Sequence, residues 1–450
     1  MRVLLAVHAF PPRSTAGVEV YTLRLARALR AGGHEALVLC AGHDLGAAQA
    51  TVRRREEGGV PVVEVNSLHQ DGTLRATWNA PEIDRVGRGV FAEWRPDVVH
   101  FQHLLNLSSG LVADARRAGA RTVLTLHDYW LSCPRDGLRM RADLTLCATL
   151  DHAVCARCLR DSPYLTPALQ RGAARGLRAV GLGRALHRVH DALPRLTEAA
   201  LLALRGVAPP GEDLAGAMDV RRDGLRAVLG HLDLCIGPTA FARDRAVEVG
   251  ADPGRTTVVG LGVATGAPRP RRAGPHRRFG YVGTLAPHKG VHVLIDAFRG
   301  LPRSDVSLDL HGSPSVFPAY ASDLVRRAAG DPRIRFHGAF REGEQERVLA
   351  GLDALVLPSL WWENSPMAVL EGLAAGLAVV ASRTGGVPEI LAEGSGVLVD
   401  PGDGVALTAA LDGLARGALL AEPHAAWPVK TVEEGAVELL GLYSALTSSG

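Results

Sequence analysis

Two glutamates in the last third of the chain, Glu363 and Glu371, are separated by seven residues and lie on either side of a predicted helix start. Such a pair often forms a solvated face or a helix cap. Glu371, however, falls among apolar residues, and a carboxylate buried without partners is costly. These apolar neighbours are Ala368, Val369, Leu370, Leu373 and Ala374. The pattern therefore predicts that Glu371 contacts a ligand or a hydrogen-bond donor.

The residues between the two glutamates predict an anion site. Pro366–Ala375 has the pattern of a helix, with Ser365 as its N-cap and proline at an early helical position. Free N–H groups and the helix dipole attract anions at a helix N-terminus. Ser365, Pro366 and Met367 are therefore candidates for binding a diphosphate. Glu371, about a turn and a half further along, is suited to accept hydrogen bonds from a ribose diol.

A lysine precedes another predicted helix. The strand Phe279–Val282 ends at Gly283, and Lys289 stands at the entry of the next helix. Lys289 and Lys430 are the only lysines among the 450 residues. Most lysines are merely solvated, but an ammonium group here can pair with a phosphate and offset charge on a diphosphate leaving group.

A histidine ends a strand in the first half of the chain. The predicted strand Arg121–Leu126 is followed by His127 and Asp128. Ligands of open α/β sheets bind beyond the carboxyl ends of the strands, although a lone histidine there is often structural. We expect Asp128 to orient His127 or to cap the next turn.

Four cysteines crowd into 26 residues, and they are Cys133, Cys147, Cys155 and Cys158. The closing C-x2-C pair is common in tetrahedral zinc sites. The spacing predicts a structural zinc, with an iron–sulfur cluster and disulfides as alternatives. Four thiolates would close the coordination sphere, so a catalytic zinc is not expected.

Arginines recur from 169 to 205 beside an apolar helical face. A basic amphipathic helix is attracted to anionic lipid and to lipid diphosphates. The same pattern fits a solvated face packed on its own domain. The sequence leaves both interpretations open.

These residues must be positioned by a framework of alternating strands and helices. The alternation begins with a strand over Arg2–Val7, a helix over Val18–Ala31 and a strand over Glu35–Cys40. This βαβ rhythm predicts α/β architecture with parallel sheets covered by helices. The further predicted strands are Val60–Val65, Asp97–Gln102, Arg121–Leu126, Asp233–Gly237, Phe279–Val282, Val306–Leu310, Arg333–Phe336, Ala354–Leu357, Ala378–Ala381 and Gly396–Val399.

A composition break at Ala264–Arg278, rich in Pro, Gly and Arg, predicts a linker between two domains. The first domain is predicted at 1–265, with an insertion at about 133–230 that carries the cysteines and the basic stretch. The linker is predicted at 266–278 and the second domain at 279–430. A C-terminal helix at 431–446 is expected to pack back on the first domain.

The overall composition is typical of a globular protein. Apolar residues make up 47% and charged residues 22%, which excludes disorder over most of the length. The net charge of +3 is too small to make nucleic acid an expected partner. The sequence predicts neither a signal peptide nor a membrane span. A cytoplasmic location is expected, with peripheral attachment at the inner membrane face left open by the basic stretch.

Three stretches of the second domain form a recurring set: Gly283-Thr284-Leu285 with Lys289-Gly290, Glu363-Asn364-Ser365-Pro366 with Glu371, and Gly385-Gly386-Val387-Pro388-Glu389. Their order and spacing resemble the carboxyl-terminal half of nucleotide-sugar glycosyltransferases of family 4, or group 1, which have the GT-B fold. In the first half, His8-Ala9-Phe10-Pro11-Pro12 followed by Ala16-Gly17-Val18-Glu19 is similar to the family's first strand and Gly-rich helix entry. The resemblance covers about residues 1–130 and 231–446.

The resemblance implies two Rossmann-like parallel-sheet domains that face each other across a cleft. Glu363 is expected to contact the transferred sugar, Glu371 the nucleotide ribose and Lys289 the diphosphate. His127 is expected to bind a donor-sugar hydroxyl or to steady the developing sugar cation. The other expected donor-binding residues are Gly17, Gly283, Thr284, Asn364, Ser365, Pro366 and Met367.

One position departs from the family pattern. The common Gly-Arg-Leu has Thr284 at its centre, so the arginine that usually assists the lysine is absent. A threonine hydroxyl donates only one neutral hydrogen bond. Either another cation substitutes, with Arg243, Arg383 and His288 as candidates, or diphosphate binding is weaker.

The resemblance implies an enzyme that moves a sugar from a UDP-, GDP- or ADP-sugar to a hydroxyl acceptor, with retention at the anomeric carbon. A glycan or a lipid-linked acceptor is expected, in polysaccharide or glycolipid biosynthesis. No catalytic metal is expected, because no Asp-x-Asp clamp stands in the expected context. Two alternatives remain: a non-catalytic subunit that binds sugar nucleotides, and a sugar-phosphate synthase or phosphorylase of the same fold.

Overall fold

The chain divides into two compact units. The computed structural model describes residues 1–44, 46–68, 73–135, 137–160, 212–264, 269–271, 273–340, 343–391, 394–420 and 429–448. The first unit comprises Met1–Gly237, Arg243–Val259 and Ala436–Gly450, and the second comprises Pro238–Ala242 and Gly260–Gly435. The predicted domain limits at 265, 278 and 430 remain predictions.

The first unit contains an eight-stranded sheet. Its strands are β1 (Arg2–Val7), β2 (Glu35–Gly42), β3 (Val52–Glu57), β4 (Val60–Asn66), β5 (Val98–Phe101), β6 (Arg121–Thr125), β7 (Leu234–Gly237) and β8 (Thr256–Val258). The strand order is β3-β4-β2-β1-β5-β6-β7-β8. All neighbours pair in parallel except β3, which runs antiparallel to β4. Parallel strands are covered on both faces, and the central β1 is accordingly apolar and buried at every position after Arg2.

Helices cover this sheet and close its core. They are α1 (Gly17–Ala31), α2 (Pro81–Trp94), α3 (Gly110–Arg117), α4 (His152–Arg160), α5 (Leu214–Gly230) and α6 (Ala240–Glu248). Leu4 and Phe101 from the sheet and Leu111 from α3 belong to one fully buried cluster. Burying such side chains removes apolar surface from water and stabilises the unit.

The second unit contains a six-stranded sheet in which every pair of neighbours is parallel. Its strands are β9 (Arg278–Val282), β10 (Ser307–His311), β11 (Ile334–Gly338), β12 (Ala354–Leu357), β13 (Ala378–Ser382) and β14 (Gly396–Val399), in the order β11-β10-β9-β12-β13-β14. The helices of this unit are α7 (Val291–Arg299), α8 (Pro318–Ala328), α9 (Gln345–Ala350), α10 (Met367–Ala374), α11 (Val387–Ile390) and α12 (Gly404–Ala415). A further helix, α13 (Val432–Ser448), begins in this unit and belongs to the first unit from Ala436 onward. The predicted fold class, two parallel-dominated α/β units, is confirmed.

The predicted strands are all present, with ends that differ by at most two residues. Two strands were not predicted. β3 carries Arg53, Arg54 and Arg55 and lies at the sheet edge, so it shows no apolar alternation. β8 is only three residues long. Hydrophobic periodicity identifies buried strands and misses polar edge strands.

The basic stretch at 169–205 lies outside the described residues, so its helix and its membrane attachment remain predictions. Among the helices in the described ranges, none combines the length and the hydropathy needed to cross a bilayer.

The last part of α13 belongs to the first unit and reaches its core. Tyr443 is fully buried there, and its hydroxyl lies 2.5 Å from Nδ1 of His100 on β5. Nε2 of the same ring lies 2.7 Å from Oγ1 of Thr125 on β6. Both ring nitrogens of a buried histidine are therefore satisfied, one of them by the C-terminal helix.

Tyr443→Phe should destabilise the first unit, because Nδ1 of His100 would stay buried without a partner. A buried polar atom that loses its hydrogen bond costs ~1–3 kcal/mol. We expect the free energy of unfolding, measured by urea titration with circular dichroism, to fall by that amount. Ser444→Ala, at the exposed next position, should change it by less than ~0.5 kcal/mol. Equal urea midpoints for the two variants would show that the buried bond contributes nothing.

Candidate functional site

Three loops of the second unit follow neighbouring parallel strands. The loops 283–290, 358–366 and 383–386 follow β9, β12 and β13, which pair in the order β9-β12-β13. The carboxyl ends of parallel strands lie along the same edge of a sheet, which is where open α/β sheets bind ligands. The topology therefore brings Lys289, Glu363 and the Gly385-Gly386 pair to one edge.

Lys289 and Glu363 form an ion pair at this edge. Nζ of Lys289 donates to Oε1 of Glu363 at 2.7 Å. Glu363 is 3% exposed and the lysine side chain 20% exposed. The hydroxyl of Ser359, which is fully buried, donates to the same carboxylate oxygen. A buried charge needs both an opposite charge and hydrogen bonds, and Glu363 has both.

An aromatic ring supports the ammonium group from another side. Nζ of Lys289 lies 4.7 Å from the ring centroid of Trp361, a cation–π distance. The two loops also join through their backbones, because the amide of Leu360 donates to the carbonyl of His288 at 2.9 Å. Lys289 closes a short 3-10 turn, Pro287–Lys289, rather than lying within α7.

Two glycines permit the close approach of these loops. Gly290 has φ +68°, and a Cβ there would lie 2.0 Å from the carbonyl oxygen of Pro358. Gly385 has φ +58°, and a Cβ would lie 1.9 Å from the carbonyl oxygen of Glu363. The amide of Gly386 donates to that carbonyl at 2.7 Å. Only glycine combines the left-handed backbone with this proximity.

The helix after Glu363 differs slightly from its prediction. α10 begins at Met367, and its N-cap is Pro366, which makes no side-chain cap bond. The predicted N-cap, Ser365, is therefore wrong by one position, because the extended backbone of Pro366 ends the loop. The first amides of a helix have no intrahelical partner, so those of Met367 and Ala368 are directed out of the helix end. Glu371 lies in the second turn and is 5% exposed.

The remaining predicted donor residues of this unit lie in the same loops. Gly283 and Thr284 follow β9 directly and are partly exposed. The carbonyl of Thr284 accepts from the buried hydroxyl of Tyr281 at 2.7 Å, and burial raises the pKa of that phenol well above its ordinary value. Asn364 is 4% exposed, and its carbonyl accepts from Oγ1 of Thr239 at 3.2 Å.

Each of the three cations suggested as substitutes for the missing arginine contacts another side chain: the two arginines lie near aspartates, and the histidine contacts a tryptophan. Arg243 belongs to the first unit and pairs with Asp244 at 2.7 Å. Arg383 lies 3.6 Å from Asp400 and is mostly exposed. The ring of His288 contacts that of Trp361, with centroids 5.4 Å apart. Of the three, His288 is the nearest in sequence to Lys289.

The first unit has its own small cavity, at the carboxyl ends of β5 and β6, with polar side chains in a largely apolar lining. Gln102 and His103 follow β5, and His127 and Asp128 come just after β6; all four line the cavity. Nε2 of His127 lies 2.8 Å from Oε1 of Gln102. Nε2 of His103 lies 2.8 Å from Oδ2 of Asp128. Of the two roles expected for Asp128, orienting His127 is wrong, because its carboxylate pairs with His103. The other role, capping the next turn, is confirmed, because Oδ1 of Asp128 accepts from the Trp130 amide at 2.7 Å.

A second histidine–carboxylate pair lies beside this cavity. Nε2 of His8 lies 3.2 Å from Oε1 of Glu19, which is 2% exposed and also accepts from Ser14. The His8 ring lies tilted against that of His103, with centroids 4.5 Å apart, which connects the pair to the cavity. Gly17, the predicted close-approach glycine, is the first residue of α1, two positions before Glu19.

Burial sets the charge states of these groups. Burial, reinforced by His103 and His8, lowers the pKa of His127 to about 3, so its imidazole is neutral at physiological pH. Burial likewise lowers the pKa of His100 to about 3. Burial alone would raise the pKa of Asp128, but the attraction and hydrogen bond of His103 outweigh it and lower the value. The cavity therefore holds the carboxylate of Asp128 beside the neutral ring of His127.

Sequence reasoning missed Gln102, His103, Ser359 and Trp361. Gln102 was the last residue of a predicted strand, so the argument that selected His127 applies to it equally. Ser359 and Trp361 gave no such signal, because their role depends on the position of Lys289, about 70 residues earlier in the sequence.

The cysteine cluster does not form the expected metal site. Among the residues that the structure describes, no group of three or more His, Cys, Asp or Glu side chains is arranged to hold a metal ion. Within the described residues, no disulfide joins Cys133, Cys147, Cys155 or Cys158. Burial raises the pKa of Cys133 to about 11, and burial together with Cys147 and Cys158 raises that of Cys155. The zinc prediction is therefore not supported by the residues that the structure describes.

Two protein-family models match the chain. The model for glycosyl transferases group 1 matches residues 276–416. The model for the glycosyl transferase 4-like domain matches residues 16–189. The first match contains Lys289, Glu363 and Glu371, and the second contains Gln102 and His127.

Curated relatives match over shorter stretches. A D-inositol 3-phosphate glycosyltransferase of Corynebacterium efficiens is 33% identical over 174 residues, which is 34% of this chain and 41% of the relative. A phosphatidyl-myo-inositol mannosyltransferase of Mycobacterium leprae is 29% identical over 174 residues, 36% of this chain and 45% of the relative. The chain thus aligns with less than half the length of each of these relatives.

Solved structures match over the whole length. Sucrose-phosphate synthase from Thermosynechococcus elongatus has a TM-score of 0.65 at 15% identity and covers 100% of both chains. Anabaena HepE in complex with UDP-glucose has a TM-score of 0.57 at 16% identity, again covering 100% of both chains. At such identities the likeness concerns the fold.

Gly385→Ala should destabilise the second unit more than an equally left-handed glycine elsewhere in it. The added Cβ would displace the Glu363 carbonyl and break its bond to the Gly386 amide. Gly338→Ala is the matched control, because Gly338 has φ +73° and nothing within 4 Å of the added Cβ. We expect Gly338→Ala to lower the free energy of unfolding by ~1–2 kcal/mol and Gly385→Ala to lower it further. If urea titrations gave the same loss of unfolding free energy for both variants, the loop that carries Glu363 would have to move aside at no cost.

Proposed function

Because the chain belongs to the group 1 glycosyltransferases of the GT-B fold, we propose that it transfers a sugar from a nucleoside diphosphate sugar to a hydroxyl acceptor. The observation that carries the proposal is the buried ion pair of Lys289 and Glu363 at the carboxyl edge of the second sheet. It places an ammonium group and a carboxylate side by side, where a ligand with a diphosphate and a polyhydroxyl end can meet both.

In the proposed complex Lys289 stabilises the departing diphosphate. One oxygen of the nucleoside diphosphate leaves the anomeric carbon, and negative charge accumulates on it as the bond breaks. An ammonium group held in a largely buried site offsets that charge more effectively than one in water. Lys289 is held by Glu363, Trp361 and the 3-10 turn, so little reorganisation is needed when the donor binds.

The helix α10 supports the same end of the donor. The first-turn amides at Met367 and Ala368 are free of intrahelical bonds, and no side chain caps them. Such amides bind phosphate oxygens. Glu371, buried in the next turn, accepts hydrogen bonds from the ribose diol in the proposal. Ser365 and Asn364 stay candidates for the transferred sugar or the phosphates.

Thr284 stands where the family commonly has an arginine. In the proposal its hydroxyl donates a single bond to the diphosphate, and Lys289 with the amides of α10 supplies the rest. His288 is the candidate for additional positive charge, since it neighbours Lys289 and shares the ring contact with Trp361. Diphosphate binding is then weaker than with an arginine, because a neutral donor forms the weaker bond.

The sugar-binding role of the first unit is assigned to His127. Its imidazole is neutral and lines the cavity after β5 and β6. In the proposal it hydrogen-bonds a hydroxyl of the donor sugar. Retention at the anomeric carbon is proposed from the family, with the acceptor attacking from the face that the diphosphate leaves.

The donor and acceptor classes rest on the relatives. UDP-glucose is present in the HepE complex, which supports a nucleoside diphosphate sugar as the donor. The curated relatives act on inositol phosphate or phosphatidylinositol acceptors by name. We propose a polyol, glycan or lipid-linked hydroxyl as the acceptor here, in polysaccharide or glycolipid biosynthesis.

Lys289→Met should abolish donor use, and the chain's other lysine supplies the control. Nζ of Lys430 donates to the carbonyl of Gly260 at 3.3 Å, and Lys430→Met should leave activity unchanged. We expect one of UDP-, GDP- or ADP-glucose to raise the melting temperature of the wild type. Release of nucleoside diphosphate should fall about 100-fold or more in Lys289→Met, since loss of one such charge costs that much in comparable sites.

Glu371→Gln provides a second test that retains the volume of the side chain. A hydrogen bond to a charged group contributes ~1.5–3 kcal/mol, so donor affinity measured by calorimetry should fall about 10-fold or more. Stabilisation by a donor without turnover would favour the non-catalytic subunit. Turnover only with inorganic phosphate or a small sugar phosphate would favour the phosphorylase or synthase. No response to any of the three donors would refute the proposal.

A further inference from the structure

Gln102 is buried beside His127 and makes only part of the hydrogen bonds that its amide allows. The side chain is fully buried and lines the cavity after β5 and β6. Its Oε1 lies 2.8 Å from Nε2 of His127. Its own Nε2 has no hydrogen-bond partner in the described part of the chain. A buried amide with an unused donor indicates that a further polar group enters the cavity.

The contact with Gln102 decides which nitrogen of His127 carries the proton. A neutral imidazole has one N–H donor and one lone-pair acceptor. An amide oxygen only accepts, so the nitrogen that faces Oε1 must be protonated. Nε2 of His127 is therefore the donor, and Nδ1 has the lone pair. Within the described ranges the ring makes no second hydrogen bond, so Nδ1 is available to a ligand.

We propose that Gln102 is a positioning residue that holds His127 in the Nε2-protonated form, so that Nδ1 accepts a hydrogen bond from a sugar hydroxyl. This inference rests on the proposed function, in which His127 contacts the sugar. It gives the direction of that hydrogen bond: the sugar hydroxyl donates and His127 accepts. A sugar that is deoxygenated or O-methylated at the hydroxyl facing His127 would therefore not be a substrate. The unused N–H of Gln102 makes the cavity favour a second oxygen of the ligand or a water.

Several charged and titratable groups face His127 and set the conditions for the test. They are His8, Glu19, Tyr21, His100, His103 and Asp128. Asp128 is held by His103, and Glu19 by His8 and Ser14. Both carboxylates are therefore bonded to groups other than His127. Gln102 is the group that His127 bonds directly.

The tautomer can be observed in the wild-type protein itself. Ring-15N-labelled histidine is incorporated into the full chain, and His127 is assigned by comparison with His127→Asn. The proposal expects an Nε2–H, Nδ1-lone-pair signature that stays unchanged from pH 5 to 8. An Nδ1–H signature, or an imidazolium signature at pH 6, would overturn it.

Gln102→Glu tests the consequence for activity with an isosteric change. A glutamate either draws a second proton onto His127 or, when protonated, donates to Nε2; in both cases Nδ1 becomes N–H and cannot accept. We expect kcat/KM for the donor to fall about 10- to 100-fold at pH 6. As the pH rises, the carboxylate of Gln102→Glu again accepts from Nε2–H, and kcat/KM of the variant should recover. In the wild type, His127 and Gln102 should add no pH dependence to kcat/KM.

Gln49→Glu is the matched control for the added charge. Gln49 lies between β2 and β3, and its Oε1 accepts from the Leu68 amide at 2.7 Å. Its pH profile should follow the wild type. A Gln102→Glu profile parallel to that of Gln49→Glu would contradict the positioning role. If the wild type turns over no sugar nucleotide, the proposed function fails, while the 15N signature still decides the tautomer.

Discussion

The second unit depends on the burial of one carboxylate. Glu363 is almost completely removed from water, and a charge in that position is stable only with a cation and hydrogen bonds around it. Lys289 can supply the cation only if the loop after β9 reaches the loop after β12. That approach needs glycine at 290, and the fixed position of the Glu363 carbonyl needs glycine at 385. The Gly-rich motifs of this unit thus follow from the ion pair that they allow to form.

The fold was largely predictable, because buried parallel strands are written as apolar runs with little ambiguity. β3 was not predictable in this way, since an exposed edge strand of arginines and glutamates has no apolar face. The site was predictable to the level of which residues lie at the sheet edge. Their partners were not: the spacing of Lys289 and Glu363 in the sequence contains no information that their side chains meet. The cysteine spacing predicted zinc, but spacing in the sequence does not decide whether the four side chains converge on one point, and within the described residues they form no metal-binding group.

Three residues of the first unit, not one, follow neighbouring strands at the carboxyl edge of the sheet. His127 was selected because it follows a strand at its carboxyl end, and Gln102 and His103 satisfy the same criterion on the neighbouring strand. Histidine attracts attention as a titratable group, whereas glutamine does not titrate. In the structure, however, burial removes the titration of His127 near neutral pH, and the amide of Gln102 takes over the task of fixing its proton. Gln102, which does not titrate, thus determines which nitrogen of His127 can accept a hydrogen bond.

The two sites therefore stabilise their buried polar groups in opposite ways. In the second unit a full positive charge is kept beside a full negative charge, which suits a ligand whose charge grows during reaction. In the first unit His127 and His100 are kept neutral, and directional hydrogen bonds replace charge. Neutral groups with fixed donors and acceptors distinguish hydroxyl patterns, because a misplaced hydroxyl leaves a buried atom unpaired. In the proposed function the two demands of group transfer would be separated: charge in the second unit would stabilise the leaving group, and uncharged hydrogen bonds in the first would recognise the sugar.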